Sequence, residues 1–498
     1  MNAPAPASAS DRPNVILICT DQWRGDCLGV LGHPVVETPH LDMLASTGVV
    51  FRNCYSATPS CIPARAALLT GLSQRTHGRV GYRDGVPWNY DVTLPGEFTR
   101  NGYQTECVGK MHVYPERSQL GFQHVTLHDG FLHHAHRHHP NLDRVDDYVP
   151  WLRQRAGHDA DYAEHGMSCN GYTVRPWPMD EHLHPTNWVT SESINFIRNR
   201  DPRKPFFLMT SYHRPHPPLD PPAWAFEQYR DVEMPDPPVG DWVDEVFGSI
   251  YEPHNPLQPP KRMPARQLQR ARAGYYGHLT HIDHQVHRLF ETLNAEGLLG
   301  NTWIVFVSDH GDFLGDHNLY AKTFPYEGAA RVPLFICPPA GTKLPGRTAG
   351  QPVFRDEPVE LRDVMPTLLD LAGLDVPASV EGRSTAPLWR DAAKHAGWRT
   401  HLHGEHTTPL GSVHYVTDGG AKYVWFARTG REQLFDLTHD REERTNLAGD
   451  PAWRDRLAAM RQALIDELTG REEGFVVNGA LQTVDEVDPV RPALREQR

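Results

Sequence analysis

Four short apolar runs in this chain stop abruptly at clusters of polar residues, and this pattern constrains the fold more than any other feature. Val15–Cys19 runs into Thr20-Asp21-Gln22, and Thr105–Val108 runs into Gly109-Lys110-Met111-His112. Phe206–Met209 runs into Thr210-Ser211-Tyr212-His213-Arg214-Pro215-His216, and Trp303–Val307 into Ser308-Asp309-His310-Gly311-Asp312. Short β-rich runs alternating with helical stretches predict an α/β fold, a large mixed and mostly parallel sheet flanked by helices. Such sheets bind ligands outside the carboxyl ends of their strands. The four polar clusters are therefore expected to meet at one edge.

Other segments fill in the organisation. Tyr275, Leu279, Ile282, Val286, Leu289 and Leu293 recur at alternating steps of four and three, which predicts a core-packing helix stopped by Gly297. Segments 125–185 and 215–265 read as irregular pocket walls, too long for simple connections. The texture changes near residue 385, where alternating stretches surround Gly419-Gly420 and Pro451–Leu468 reads as a closing helix. The expected division is a catalytic α/β domain over 12–385 and a smaller α+β subdomain with an antiparallel sheet over 386–498, its last dozen residues a frayed tail.

Charge and cysteine usage narrow the function classes. A formal charge of −13, from 62 acidic and 49 basic residues, argues against nucleic-acid and membrane partners and for a small-molecule ligand. The opening MNAPAPASASDRPN lacks the basic start and apolar stretch of a signal peptide, so a cytoplasmic location is expected. The seven cysteines form no CxxC pair and are expected to be reduced. A homo-oligomer is compatible with an enzyme of this size.

One cysteine stands apart. In SCIPARAALLTG, residues 60–71, Pro63 suits the first turn of a helix, the alanines and leucines propagate it, and Thr70-Gly71 can end it. Cys61 then sits at the positive end of the helix dipole, with Arg65 one turn further on the same face. That is a nucleophile's environment, although a buried structural cysteine would look the same. HHAHRHH at 133–139 has no spacing of defined metal geometry and reads as a solvated or rim loop. Trp23, Trp88 and Tyr82 are candidates to contact an aromatic substrate group, while Asp312, Asp316 and His317 read as scaffold.

CIPAR matches the C-x-P-x-R signature of the type I sulfatases, within the alkaline phosphatase superfamily. The resemblance extends through DQWRGD, TPHLDMLASTGVVF, NGYQTECVGKMH, RPHPP, NTWIVFVSDHGDFLGDHNLYAK and QLFDLTHDREERTNL, in the family's order. It implies a sulfuric ester hydrolase of the arylsulfatase type. It further implies that a formylglycine-generating enzyme converts Cys61 to formylglycine, with Pro63 and Arg65 as recognition marks. One hydroxyl of the hydrated aldehyde attacks sulfur and the other drives sulfate out. By family position Asp21, Gln22, Asp309 and His310, with modified Cys61, would bind one divalent ion, calcium first, manganese or magnesium also compatible. Lys110 and Lys322 would bind the sulfate, His112 would contact the nucleophile, and His216 would sit beside the leaving oxygen, with His213 able to exchange roles with it. The family more often has Asp where Gln22 stands and Asn where His310 stands. Related phosphonate monoester hydrolases carry Asp-Gln and Asp-His pairs, so hydrolysis of phosphonate monoesters or phosphodiesters is the alternative. A serine phosphatase would use Ser60, yet the signature's Pro and Arg are spaced from Cys61.

Overall fold

The computed structural model describes residues 12–130, 141–163, 165–248, 263–390 and 397–495; the histidine-rich stretch at 133–139 lies outside the described residues. In chain order the first strands are β1 (Asn14–Asp21), β2 (Val49–Phe51), β3 (Cys54–Tyr55), β4 (Gln104–Gly109), β5 (His124–Leu127), β6 (Phe206–Pro215), β7 (Thr302–Ser308), β8 (Leu334–Cys337), β9 (Val353–Arg355) and β10 (Val359–Glu360). Eight of them form one sheet in the order β5-β4-β6-β1-β7-β8-β2-β9, and β3 pairs with β10. Neighbours from β5 to β7 are parallel, and β8 runs against both β7 and β2. This is the mostly parallel sheet the apolar runs predict.

The central strands β6, β1 and β7 are buried along their whole length, as expected of parallel strands covered on both faces. Alternation divides β1 between two cores. Ile16 and Ile18 pack with the helix Ala265–Ala295 on one face, and Val15, Leu17 and Cys19 with the helices Cys61–Thr70 and Val364–Leu371 on the other. The long helix begins before the periodic stretch at 271 and stops as predicted at Gly297, whose φ of +67° suits glycine.

The expected irregular walls contain the helices Tyr148–Ala156, Ala223–Arg230 and Val243–Phe247 instead. A further helix, Pro185–Asn199, starts where the first wall ends: Pro185 occupies its first turn, and the His184 ring accepts the Thr186 N–H at 3.1 Å as a cap. The tail also differs from expectation. Pro489 O accepts the Val80 N–H and Gly78 O the Arg491 N–H, both at 2.9 Å, and Leu494 is buried against Gly78. A backbone ladder to a distant loop orders these residues, and local composition does not register it.

The antiparallel sheet has the order β11 (Leu402–Thr408), β12 (Gly411–Thr417), β13 (Ala421–Phe426) and β14 (Arg431–Asp436), covered by the helix Arg454–Leu468. Asp418 closes the Gly-Gly turn by accepting the Gly420 and Ala421 N–H groups at 3.0 and 2.9 Å. This sheet is tied to the loop after β3 and to the helix Glu327–Ala330: Glu405 N–H donates to Ala57 O at 2.8 Å, and buried Lys422 joins Glu327 and Glu443 at 2.8 and 2.9 Å.

Arg471 donates to both oxygens of buried Glu405, at 2.8 and 3.1 Å. Burial alone would raise the Glu405 carboxyl, but Arg471 and His414 bring it down to about 2. Its contribution to stability is therefore complete above its ordinary value and is lost as pH falls toward about 2. Glu405→Gln is expected to cost about 3 kcal/mol at neutral pH. The deficit relative to the parent should shrink as pH falls from 4.5 to about 2, measured by urea unfolding across that range.

Candidate active site

The four polar clusters meet, with the N-terminus of the helix Cys61–Thr70, beyond the carboxyl ends of β4, β6, β1 and β7. Local backbone irregularities aim the side chains. The register of β1 shifts between Thr20 and Asp21, and a bulge of this kind redirects a side chain at a strand end. Gln22 and His112 follow with φ of +75° and +58°, so two chains leave their strands through left-handed turns. Gly109 allows the second turn, since a Cβ there would lie 2.0 Å from Ser211 O. Asp129 seats it by accepting the Met111 and His112 N–H groups at 2.7 and 3.0 Å.

Asp21, Cys61, Asp309 and His310 are buried, and one ligating atom from each lies within 4.8 Å of the others. Cys61 Sγ is 3.5 Å from Asp21 Oδ1 and 3.3 Å from His310 Nε2. The His310 Nδ1–H donates to Gly311 O at 2.9 Å, which turns Nε2 toward the carboxylates, 3.3 Å from Asp21 and 3.7 Å from Asp309. A ligating histidine is oriented in the same way. Two carboxylates, this imidazole nitrogen and the atom at position 61 fit a divalent cation. Gln22 is adjacent: its N–H donates to Asp309 Oδ1 at 3.1 Å, while its side-chain oxygen accepts from Lys322 at 2.8 Å.

Cations surround this acidic core. Lys110 Nζ pairs with Asp21 Oδ2. Arg65, fully buried, donates to Asp309 Oδ2 at 2.9 Å, to Lys110 O at 2.7 Å and to Ser211 Oγ at 3.0 Å. Arg65 thus faces Asp309 and not open solvent. Burial and the Asp21 charge push the Asp309 carboxyl up to about 6, against the pull of His310 and Arg65. Burial would lower His310, but Asp309 carries it up to about 10. The Cys61 thiol is raised by burial and by Asp21, yet Lys110, Lys322 and His310 outweigh both and bring it well below its ordinary value. Position 61 therefore favours an anion.

The remaining expected residues line the same space. His216 donates through Nδ1 to Pro217 O at 2.9 Å and accepts from Lys322 Nζ at 2.7 Å through Nε2. Burial and Lys322 hold this imidazole down to about 3. Arg214 donates to His213 Nδ1, and burial together with Arg214 keeps His213 neutral. His112 Nε2 lies 3.4 Å from Asp84. Burial and Lys110 oppose its charge, but Asp84 and Cys61 raise it to about 9.

Several contributors escape a sequence reading. Asp84 anchors His112, and Asp312 accepts from the Gln22 amide at 2.5 Å and from the Tyr172 hydroxyl at 2.7 Å. From the antiparallel sheet, His406 donates through Nδ1 to Thr407 O at 2.7 Å and accepts the Ser60 hydroxyl at 2.8 Å, beside the nucleophile position. From sequence Asp312 reads as scaffold, with neither Gln22 nor Tyr172 marked as its partner; nothing local marks His406. Trp23 and Trp88 are buried in the two cores: Trp23 packs edge-on against Phe306, and Trp88 lies under Arg79. Tyr82 is exposed beside His112, with ring centres 6.0 Å apart.

The chain is similar to known proteins over most of its length. The Sulfatase family model matches residues 13–374, and one described as N-sulphoglucosamine sulphohydrolase, C-terminal, matches 315–469. The chain is 48% identical to an arylsulfatase of Clostridium perfringens over 93% of this chain and 96% of that protein. It is 31% identical to a multifunctional alkaline phosphatase superfamily protein of Trinickia caryophylli, over 89% and 92% of the two. The crystal structure of a phosphonate monoester hydrolase of Agrobacterium radiobacter superposes with a TM-score of 0.77 at 26% identity, covering 91% of this chain and 95% of that one.

Proposed function

The chain belongs to the sulfatase family, and from that premise we propose that it hydrolyses organic sulfate monoesters, aryl sulfates among them, with Cys61 as the precursor of its nucleophile. The observation that carries this reading is the position of Cys61, 3.3 to 3.5 Å from His310 and Asp21 and within the field of Lys110 and Lys322. Its Sγ stands in for the oxygen that formylglycine would present there.

Asp21, Asp309, His310 and the residue-61 oxygen, joined by Gln22, would hold one divalent ion. Calcium is the first choice because the donors are mostly hard oxygens, with manganese and magnesium as alternatives. Such an ion polarises a sulfate oxygen and lowers the pKa of an adjacent hydroxyl. The chain's own groups do the rest. Lys110 and Lys322 neutralise the sulfate oxygens. His216, with Nδ1 held by Pro217 and Nε2 by Lys322, forms with that lysine the pair that supplies a proton to the leaving oxygen. His213, with Nδ1 engaged by Arg214, keeps its Nε2–H as a donor. His112, protonated at neutral pH, donates toward position 61.

The second reading, hydrolysis of phosphonate monoesters or phosphodiesters, is supported by the structural similarity to the Agrobacterium enzyme. These substrates and sulfate monoesters each carry one negative charge, so the cation cluster does not separate them. A nitrophenyl sulfate should be turned over faster than a nitrophenyl phenylphosphonate; a clear preference for the phosphonate would reverse the assignment. Maturation requires a formylglycine-generating enzyme. The tryptic peptide Asn53–Arg65 contains Cys54 and Cys61, so protein co-expressed with that enzyme should lose one of its two alkylatable thiols. Seven unpaired, buried cysteines suit the reducing cytoplasm. Among the described residues no helix is long and apolar enough to cross a membrane.

A further inference from the structure

Away from the reaction centre, histidines from two helices converge on a buried carboxylate where Pro39–Ser46 packs against Ala265–Ala295. One ring nitrogen each of His40 and His284 and one carboxylate oxygen of Asp283 lie within 4.8 Å of one another. We propose that His40, Asp283 and His284 form a second metal site, taking a zinc-type divalent ion that pins the two helices together.

The state of each donor supports this assignment. Asp283 is fully buried and accepts the Leu41 and His40 N–H groups at 2.7 and 3.3 Å. Among the described residues no cationic side chain pairs with it. A buried carboxylate without a counter-charge is costly, and its unused lone pairs can take a cation. The ring nitrogens of His40 and His284 have no hydrogen-bond partner among the described residues, which leaves a lone pair on each neutral ring. Stacking fixes both rings: His287 lies 4.0 Å from His40 at 12°, and Trp224 lies 4.9 Å from His284 at 28°. Two imidazoles and one carboxylate are a donor set for zinc and its neighbours, not for calcium, and exposed His284 leaves room for a water ligand.

A second cluster of similar composition shows why donor state matters. His184, Asp220 and His278 also bring ligating atoms within 4.8 Å. There Arg214 occupies both Asp220 oxygens at 2.8 Å. The His184 Nδ1 accepts the Thr186 N–H, so its Nε2 carries the proton. Charge balance and tautomer both exclude a cation from that cluster.

The test compares zinc uptake by the parent and by His40→Ala/His284→Ala, each stripped with chelator and refilled with excess calcium. The parent should bind one more equivalent of zinc than the double variant, and zinc should raise the Tm of the parent only. Any exchange at the catalytic centre is common to both proteins and cancels. His284→Gln, a change at an exposed position, should show the same loss if the double variant folds poorly. Asp283→Asn, which keeps an oxygen acceptor but loses the charge, should weaken zinc binding about tenfold or more. Equal zinc stoichiometry in the parent and the histidine variants would refute the site.

Discussion

Cys61→Ala is expected to reduce turnover of a nitrophenyl sulfate by about 10⁵-fold or more, the scale seen when a covalent nucleophile is removed, while the protein still folds. The side chain is buried, but its surroundings are polar, and deleting sulfur leaves a small gap within a charged cluster, not a cavity in an apolar core. Thermal unfolding should therefore shift little. Cys61→Ser is the sharper probe. Its hydroxyl can accept the sulfuryl group but lacks the second hydroxyl needed to drive sulfate out, so the expected trace is a burst of at most one equivalent of phenol followed by silence. Sustained turnover by either variant would remove position 61 from the mechanism. Activity that survived Cys61→Ala but vanished with Ser60→Ala would move the nucleophile to Ser60.

Arg65→Met should lower stability by about 3–5 kcal/mol, because it leaves Asp309 buried without its charge partner. Arg65 also satisfies Lys110 O and Ser211 Oγ, so one substitution releases the segment after β4 and the strand β6 together. Arg65→Lys should recover only part of the loss, since a single ammonium cannot reproduce a planar fork with three acceptors. Urea unfolding of the unmodified protein is the proper measurement. In that state the recognition of Arg65 by the maturation enzyme does not enter, and the structural role is isolated. A deficit below about 1 kcal/mol, the size of an exposed pair, would mean that Asp309 has found another counter-charge.

The four site-bearing strands, the helix at Cys61–Thr70 and the long helix stopped by Gly297 could be read from the chain, because apolar period, glycine and proline act within a few residues. The motif residues were legible through their resemblance to the sulfatases, and Asp21, Lys110, Asp309 and His310 also lie at or just past a strand end. Their partners were not. Asp84 against His112, Asp312 against Gln22 and His406 against Ser60 join segments up to 346 residues apart, and periodicity carries no record of such pairings. The helix at 148–156 was hidden in a stretch read as irregular, with Pro150 inside its first turn.

By itself, then, the sequence determined the four strands whose ends carry the site and a cysteine at the start of a helix, and its resemblance to the sulfatases set two acids beside that cysteine. The tertiary structure decided which charges oppose one another. That outcome depends on strand register, on the shift between Thr20 and Asp21, and on burial, which removes the water that would otherwise screen each charge and makes Arg65, Lys110 and Lys322 choose particular acceptors.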